Sequence, residues 1–83
     1  MSIENPPELF IADWKSVGRR IRELRGFDTN QSELAEAIGV AQSHISAAER
    51  GQKEIGVVSL FRIARLYGKS LEWLLTGTDR KAR

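Results

Sequence analysis

The segment 31–51 constrains the fold of this 83-residue chain more than any other part of the sequence. Its first half has the i, i+1, i+4 apolar spacing of one buried helix stripe, in Leu34, Ala35 and Ile38. Gly39 follows, and glycine accepts the left-handed backbone that commonly ends a helix. A second helix can then begin near Gln42 and stop at Gly51. The pattern predicts two short helices joined by a tight turn.

The second helix, predicted over 42–49, would turn small or hydrogen-bonding side chains outward. These are Gln42, Ser43, His44, Ser46 and Ala47. A helix that presents short donors and acceptors is suited to contact base edges in the major groove. Together with the tight turn before it, this face is typical of a DNA-binding helix-turn-helix.

Further residues extend the motif at fixed spacing. Within the motif they are Gln31, Leu34-Ala35, Ile38-Gly39-Val40, Gln42-Ser43, Ile45-Ser46 and Glu49-Arg50-Gly51, and downstream they are Leu60, Ile63-Ala64 and 70–75. These positions resemble the phage repressor and Cro-like (XRE-type) transcriptional regulators over about 17–77. The resemblance implies an all-α, compact five-helix bundle of the lambda-repressor-like type, in which helices 2 and 3 form the helix-turn-helix.

The sequence departs from that family at four positions. Asn30 stands before Gln31 in place of threonine, Ile55 replaces a common proline, and Lys69 replaces a small apolar residue. Ala41 replaces the Ser or Thr that usually caps the recognition helix. Without a cap, the first N–H groups of that helix lack side-chain partners, and either water or a DNA phosphate can serve them.

Four residues are expected to contact bases. Glutamine pairs bidentately with adenine, which makes Gln42 the first candidate. Ser43 can bond a base or a phosphate, and the Ala47 methyl can meet a thymine methyl. His44, the single histidine, could contact a base or a phosphate. For each, the alternative is a solvated helix residue.

Other residues are expected to hold the DNA backbone or the domain itself. The resemblance implies phosphate contacts from Gln31, Ser46, Arg50, Gln52 and Lys53. It also implies a structural ion pair between Glu49 and Arg25, with Arg22 as the second choice of partner. A carboxylate that approaches the core needs such a cation.

Charge is segregated along a chain whose net charge is only +2. Residues 1–13 carry three acids and no cation, whereas 14–26 carry Lys15, Arg19, Arg20, Arg22 and Arg25 against one acid. Residues 57–69 carry Arg62, Arg65 and Lys69 and no acid. This segregation predicts a positive face, although arginine is also simply a good surface helix former.

Composition excludes several classes of function. The absence of cysteine removes disulfides and thiolate metal sites, and one histidine provides neither a metal cluster nor a nucleophile–base pair. We therefore expect no enzyme, no cofactor and no metal. No apolar run reaches the length of a membrane span, and no signal peptide is recognisable, so we expect a cytoplasmic protein without a membrane partner.

The predicted organisation is a lead-in at 1–13, one domain at 14–77 and a polar tail at 78–83. Helices are expected at about 14–25, 31–38, 42–49, 57–67 and 70–77. Asp13 and Ser70 are candidate N-caps, and Asn30 with Glu33 forms a predicted capping box. Glycine at position 18 could allow close helix packing, and Val57 or Val58 is expected to be buried.

Apolar residues exceed what five short helices obviously bury. The surplus is Leu71, Trp73 and Leu75 together with Leu9, Phe10, Ile11 and Trp14. Either the N-terminal segment folds back onto the core, or helix 5 forms a dimer interface. The first hypothesis for function is thus a homodimeric repressor or controller on a near-palindromic operator in double-stranded DNA. The alternative is a protein-interaction module, such as an antitoxin that holds a toxin.

Overall fold

Five α-helices make up the computed structural model, which describes residues 11–78. They are α1 Trp14–Arg25, α2 Gln31–Ile38, α3 Gln42–Glu49, α4 Val57–Tyr67 and α5 Leu71–Thr76. The predicted all-α, five-helix architecture, with α2 and α3 as the helix-turn-helix, is confirmed. Of the predicted N-terminal apolar cluster, Leu9 and Phe10 lie outside the described residues, as do 79–83 of the tail.

Side-chain caps place three of the helix starts. The Asp13 carboxylate accepts hydrogen bonds from the backbone of α1, and bonding to Ser16 lowers the pKa of that carboxyl. Asn30 and Glu33 form the reciprocal capping box of α2, with distances of 2.8 and 2.9 Å. Ser70 accepts the N–H of Trp73 at the start of α5. The starts of α3 and α4 have no side-chain cap.

The core lies where the inner stripes of all five helices meet. Its fully buried large side chains are Val17, Ile21, Leu34, Ile45, Ile63 and Leu74. The expectation that Val57 or Val58 is buried was wrong, since they are 67% and 57% exposed. Ile55, in the loop before α4, is buried instead, at 3% exposure.

Close backbone contact between α1 and α3 determines how near α3 lies to the first helix. Gly18 of α1 is buried, and a Cβ built there would lie 2.2 Å from the carbonyl oxygen of Ala48 and 2.7 Å from that of Glu49. Any larger residue would push the last turn of α3 away from α1. Gly18 therefore allows the close approach that the sequence suggested.

The remaining contacts arrange the bundle around α3. This helix packs on α1 and α2, whereas α4 packs on α2 and α5. Two arginines bind helix-end carbonyls across elements: Arg62 donates to Ile38 O at 3.0 Å, and Arg20 donates to Leu74 O at 2.9 Å. None of the helices within residues 11–78 is long and apolar enough to cross a membrane.

Candidate nucleic-acid interface

A bidentate ion pair joins α1 to the last residue of α3. The Arg25 guanidinium donates to both carboxylate oxygens of Glu49, at 2.7 and 2.9 Å. The two side chains are only 14% and 4% exposed. Hydrogen bonding to Glu49 raises the pKa of Arg25 above its ordinary value. Arg25 also donates to the backbone carbonyl of Thr29 at 2.9 Å, which ties the α1–α2 loop to the same centre.

The ion pair continues as a chain of amides toward the start of α3. Gln31 Nε2 donates to Glu49 at 2.9 Å, and Gln42 Nε2 donates to Gln31 Oε1 at 2.6 Å. Gln31, expected as a phosphate contact, thus bridges two other side chains. Gln42 keeps one amide N–H and its carbonyl oxygen. Those are the donor and acceptor that bidentate pairing with adenine requires.

The other expected base contacts differ in their exposure. Ser43 is exposed beside Gln42, whereas His44 and Ala47 are half-buried. The Nε2 atom of His44 is buried and has no hydrogen-bond partner among the described residues. The Nε2 edge of the imidazole therefore faces the protein interior.

Three of the expected phosphate contacts form one cluster at the far end of α3. The Arg50 guanidinium donates to the Ser46 hydroxyl and, at 3.1 and 3.2 Å, to Gln52 Oε1. Lys53 is exposed in the loop that follows. The helix α3 thus has an amide donor and acceptor at its start, and Arg50 and Lys53 follow its end.

Comparison with known proteins identifies the motif. A family model described as helix-turn-helix matches residues 19–74, which is most of the chain. The chain belongs to this helix-turn-helix family. It is a DNA-binding transcriptional regulator of the XRE-like type, and its family and structural neighbours are regulators rather than enzymes. A search of curated proteins found no match.

Solved structures of other helix-turn-helix regulators have the same fold. The P22 c2 repressor in complex with a synthetic operator is 30% identical, with a TM-score of 0.70 over 75% of this chain and 96% of that one. The restriction–modification controller C.AhdI from Aeromonas hydrophila is also 30% identical, with a TM-score of 0.67 and the same coverage. SinR, a master regulator for biofilm formation, in complex with DNA, is 33% identical, with a TM-score of 0.64 over 71% and 97%.

One residue beside the Arg25–Glu49 ion pair could not be found from the sequence pattern. Tyr67 of α4 packs against the core, and its half-buried phenol is close enough to Arg25 and Glu49 for their charges to act on its pKa. Burial raises the pKa of this phenol. Because Tyr67 is distant in sequence from the motif, only the tertiary fold brings it to the centre.

Several basic residues expected on a positive face serve the helix-turn-helix domain internally. Arg20 and Arg62 bind carbonyls, Arg25 binds Glu49, and Lys69 lies 4.8 Å from the centroid of the Trp73 ring. Arginine spacing alone therefore overstates the charge available to DNA. Among residues 11–78, no group of three or more His, Cys, Asp or Glu side chains is placed to hold a metal ion.

Proposed function

We propose that this regulator reads the major groove of double-stranded DNA with α3. The observation that carries the proposal is the continuous hydrogen-bonded chain from Arg25 through Glu49 and Gln31 to Gln42. A glutamine held in one orientation before DNA arrives loses less side-chain entropy on binding. Preorganisation of this kind is expected of a side chain that contacts a specific base, and not of one that is merely solvated at the surface.

Base recognition is assigned to the first turns of α3. Gln42 pairs with adenine through its remaining N–H and its carbonyl oxygen, and Ser43 reaches the adjacent base or phosphate. The methyl group of Ala47 packs on a thymine methyl. His44 contributes through Nδ1, since its Nε2 atom is buried.

Backbone contacts are assigned to the two ends of the motif. Arg50, with Ser46 and Gln52 around it, and the exposed Lys53 bind phosphates beside the end of α3. The uncapped N–H groups that follow Ala41 bind a phosphate at its start. The backbone of Gln31, in the first turn of α2, does the same while its side chain bridges Glu49 and Gln42.

Salt dependence tests the DNA contacts as a group. For duplex DNA selected from random sequence by the protein, log affinity is expected to fall linearly with log salt, with a slope of about −0.9 per phosphate neutralised. Filter binding or anisotropy at several salt concentrations measures the slope. A flat response would contradict the proposed phosphate contacts.

We further propose a homodimer on a near-palindromic operator, with α5 as the contact. Leu71, Trp73 and Leu75 are half-buried against the core and keep part of their surface exposed. A two-fold axis there would place two α3 helices about 34 Å apart, one turn of DNA. Leu75→Asp is expected to give a folded monomer that binds only a half-site. Sedimentation with and without DNA checks this, and a monomeric wild type in both cases would refute the dimer.

A second candidate function is binding of another protein. It is favoured by one observation, the exposed apolar surface of α4, where Phe61 and Leu66 are 48% and 51% exposed. Salt-dependent DNA binding by the isolated protein distinguishes the two functions. A regulator that also binds a partner would show it, whereas a module that binds only a partner would not.

A further inference from the structure

The outer side of α4 carries most of the exposed large apolar side chains in the described part of the chain. They are Val57, Val58, Phe61 and Leu66. With Arg62 and Arg65 they follow the i, i+1, i+4, i+5, i+8, i+9 spacing of one continuous helix face. We call these six residues the outer face of α4. Exposed apolar surface that is contiguous, rather than scattered, marks an interaction site.

The outer face borders a shallow groove between α4 and the end of α2. The groove has a volume of about 610 Å³ and is lined by Ala37, Ile38, Phe61, Arg62, Arg65 and Leu66. Arg62 is held across it by the bond to Ile38 O. The Arg65 guanidinium lies 5.6 Å from the centroid of the Phe61 ring. Both cations are thus positioned at the edges of an apolar depression.

The charge of this surface has one sign. None of the residues that line the groove is acidic, and 57–69 contains Arg62, Arg65 and Lys69 without an acid. A two-fold contact between two copies of this face would bring four guanidinium groups together without a carboxylate. Like charges opposed across an interface disfavour association. The complementary occupant therefore carries carboxylates beside apolar side chains.

We propose that the outer face of α4 binds an acidic, amphipathic helix of a partner protein. The apolar stripe of the partner helix lies in the groove against Phe61 and Leu66, as in other helix-in-groove complexes. Its carboxylates accept hydrogen bonds from Arg65 and from those N–H groups of Arg62 that do not bond Ile38 O, in charge-assisted pairs.

This surface is separate from the proposed DNA interface. The groove lies at Ala37 and Ile38, at the end of α2, whereas Gln31 begins α2. With a rise of about 1.5 Å per residue, the two ends are roughly 10 Å apart. The helix α4 packs on α2 and α5, and α3 packs on α1 and α2. The proposal therefore places the partner helix and DNA at opposite ends of α2.

Two stapled helical peptides test the proposal on the full chain. Both carry the same leucine stripe, and the polar positions are all glutamate in one peptide and all lysine in the other. Anisotropy is expected to show that the glutamate peptide binds at least about tenfold more tightly. Phe61→Asp is expected to weaken it by about tenfold or more. The matched control is Phe27→Asp, which removes a fully exposed phenylalanine elsewhere and should change nothing.

A charge swap gives a second measurement that does not depend on Phe61. Arg65→Glu is expected to weaken the glutamate peptide and to strengthen the lysine peptide, whereas Lys53→Glu, the same charge change away from α4, should leave both unchanged. Equal binding of the two peptides, or equal effects of Arg65→Glu and Lys53→Glu, overturns the proposal. So does a dimer that Phe61→Asp dissociates, which would make a second copy the occupant, or displacement of the peptide by duplex DNA.

Discussion

The end of the motif around Glu49 and the outer face of α4 use arginine in opposite ways. Arg25 is nearly buried and is bound by both oxygens of one carboxylate, so its charge is neutralised inside the protein. Arg65 is exposed and stacks over Phe61, so its charge remains at the surface. The difference teaches that the neighbours of a cation, and not its presence in a basic stretch, decide whether it can serve a partner.

The largest effect is expected when the buried Arg25–Glu49 ion pair is broken. Glu49→Ala leaves Arg25 without its carboxylate and Gln31 without its acceptor, and we expect it to cost about 3–5 kcal/mol of folding free energy. Denaturant unfolding without DNA measures the loss. The control Glu36→Ala removes an exposed carboxylate from α2 and should stay within about 0.5 kcal/mol of the wild type. Similar values for the two variants would mean that the ion pair contributes no more than a surface charge.

A substitution at Gly18 tests how much the close packing of α1 on α3 contributes to the stability of the domain. Gly18→Ala places a methyl group against the carbonyls of Ala48 and Glu49 and is expected to cost about 1–3 kcal/mol. Helix propensity alone would favour alanine by about 1 kcal/mol, so the two mechanisms predict opposite signs. Thermal melting decides between them, with the exposed Arg22→Ala on the same helix as control. A stabilised Gly18→Ala protein would show that α1 and α3 are free to move apart.

Gln42 separates base reading from backbone contact within the proposed interface. Gln42→Ala is expected to lose about 1–3 kcal/mol of binding free energy on the preferred site and to relax the preference at one base pair. Lys53→Ala should instead weaken all sequences alike. Competition binding against single-base variants of the selected site measures both. If the two variants show the same pattern across sequences, the assignment of Gln42 to a base is incorrect.

The smallest expected effects compare the two uncapped helix starts. Ala41→Ser supplies the missing side-chain acceptor at α3 and should add about 1 kcal/mol of stability. Gly56→Ser at α4 should add only a few tenths of a kcal/mol, since glycine is already a tolerated N-cap. Both positions have the extended backbone that an N-cap needs. Denaturant melts of the two variants give the comparison, and a larger gain at Gly56 would reverse it.

Local chemistry made most of the helix boundaries predictable. The acceptors Asp13, Asn30 and Ser70 mark the starts of α1, α2 and α5, and Gly39 ends α2 with a left-handed backbone. These signals act over three or four residues and do not require knowledge of the rest of the fold. The helix-turn-helix assignment rests on the same kind of short-range pattern.

The exposure of individual side chains could not be predicted with the same success. Val57 and Val58 read as core residues because they are apolar and begin a helix, but Ile55 is the buried residue at that end of the core. His44 was expected to be an outward residue, yet it turns its Nε2 atom inward. Helical periodicity assigns a residue to one side of its helix, whereas the packing of neighbouring elements decides how much of that side is covered.

The sequence by itself determined the five helices, the tight turn between α2 and α3, and the set of polar residues that α3 could offer to DNA, because caps, glycines and apolar spacing act locally. Only the tertiary structure decided which polar side chains hydrogen-bond to other elements of the protein. Gln31 hydrogen-bonds both Glu49 and Gln42, and Arg20 and Arg62 donate hydrogen bonds to carbonyls near helix ends. Their partners lie 11 to 54 residues away in sequence, and no short-range pattern encodes a hydrogen bond across that separation.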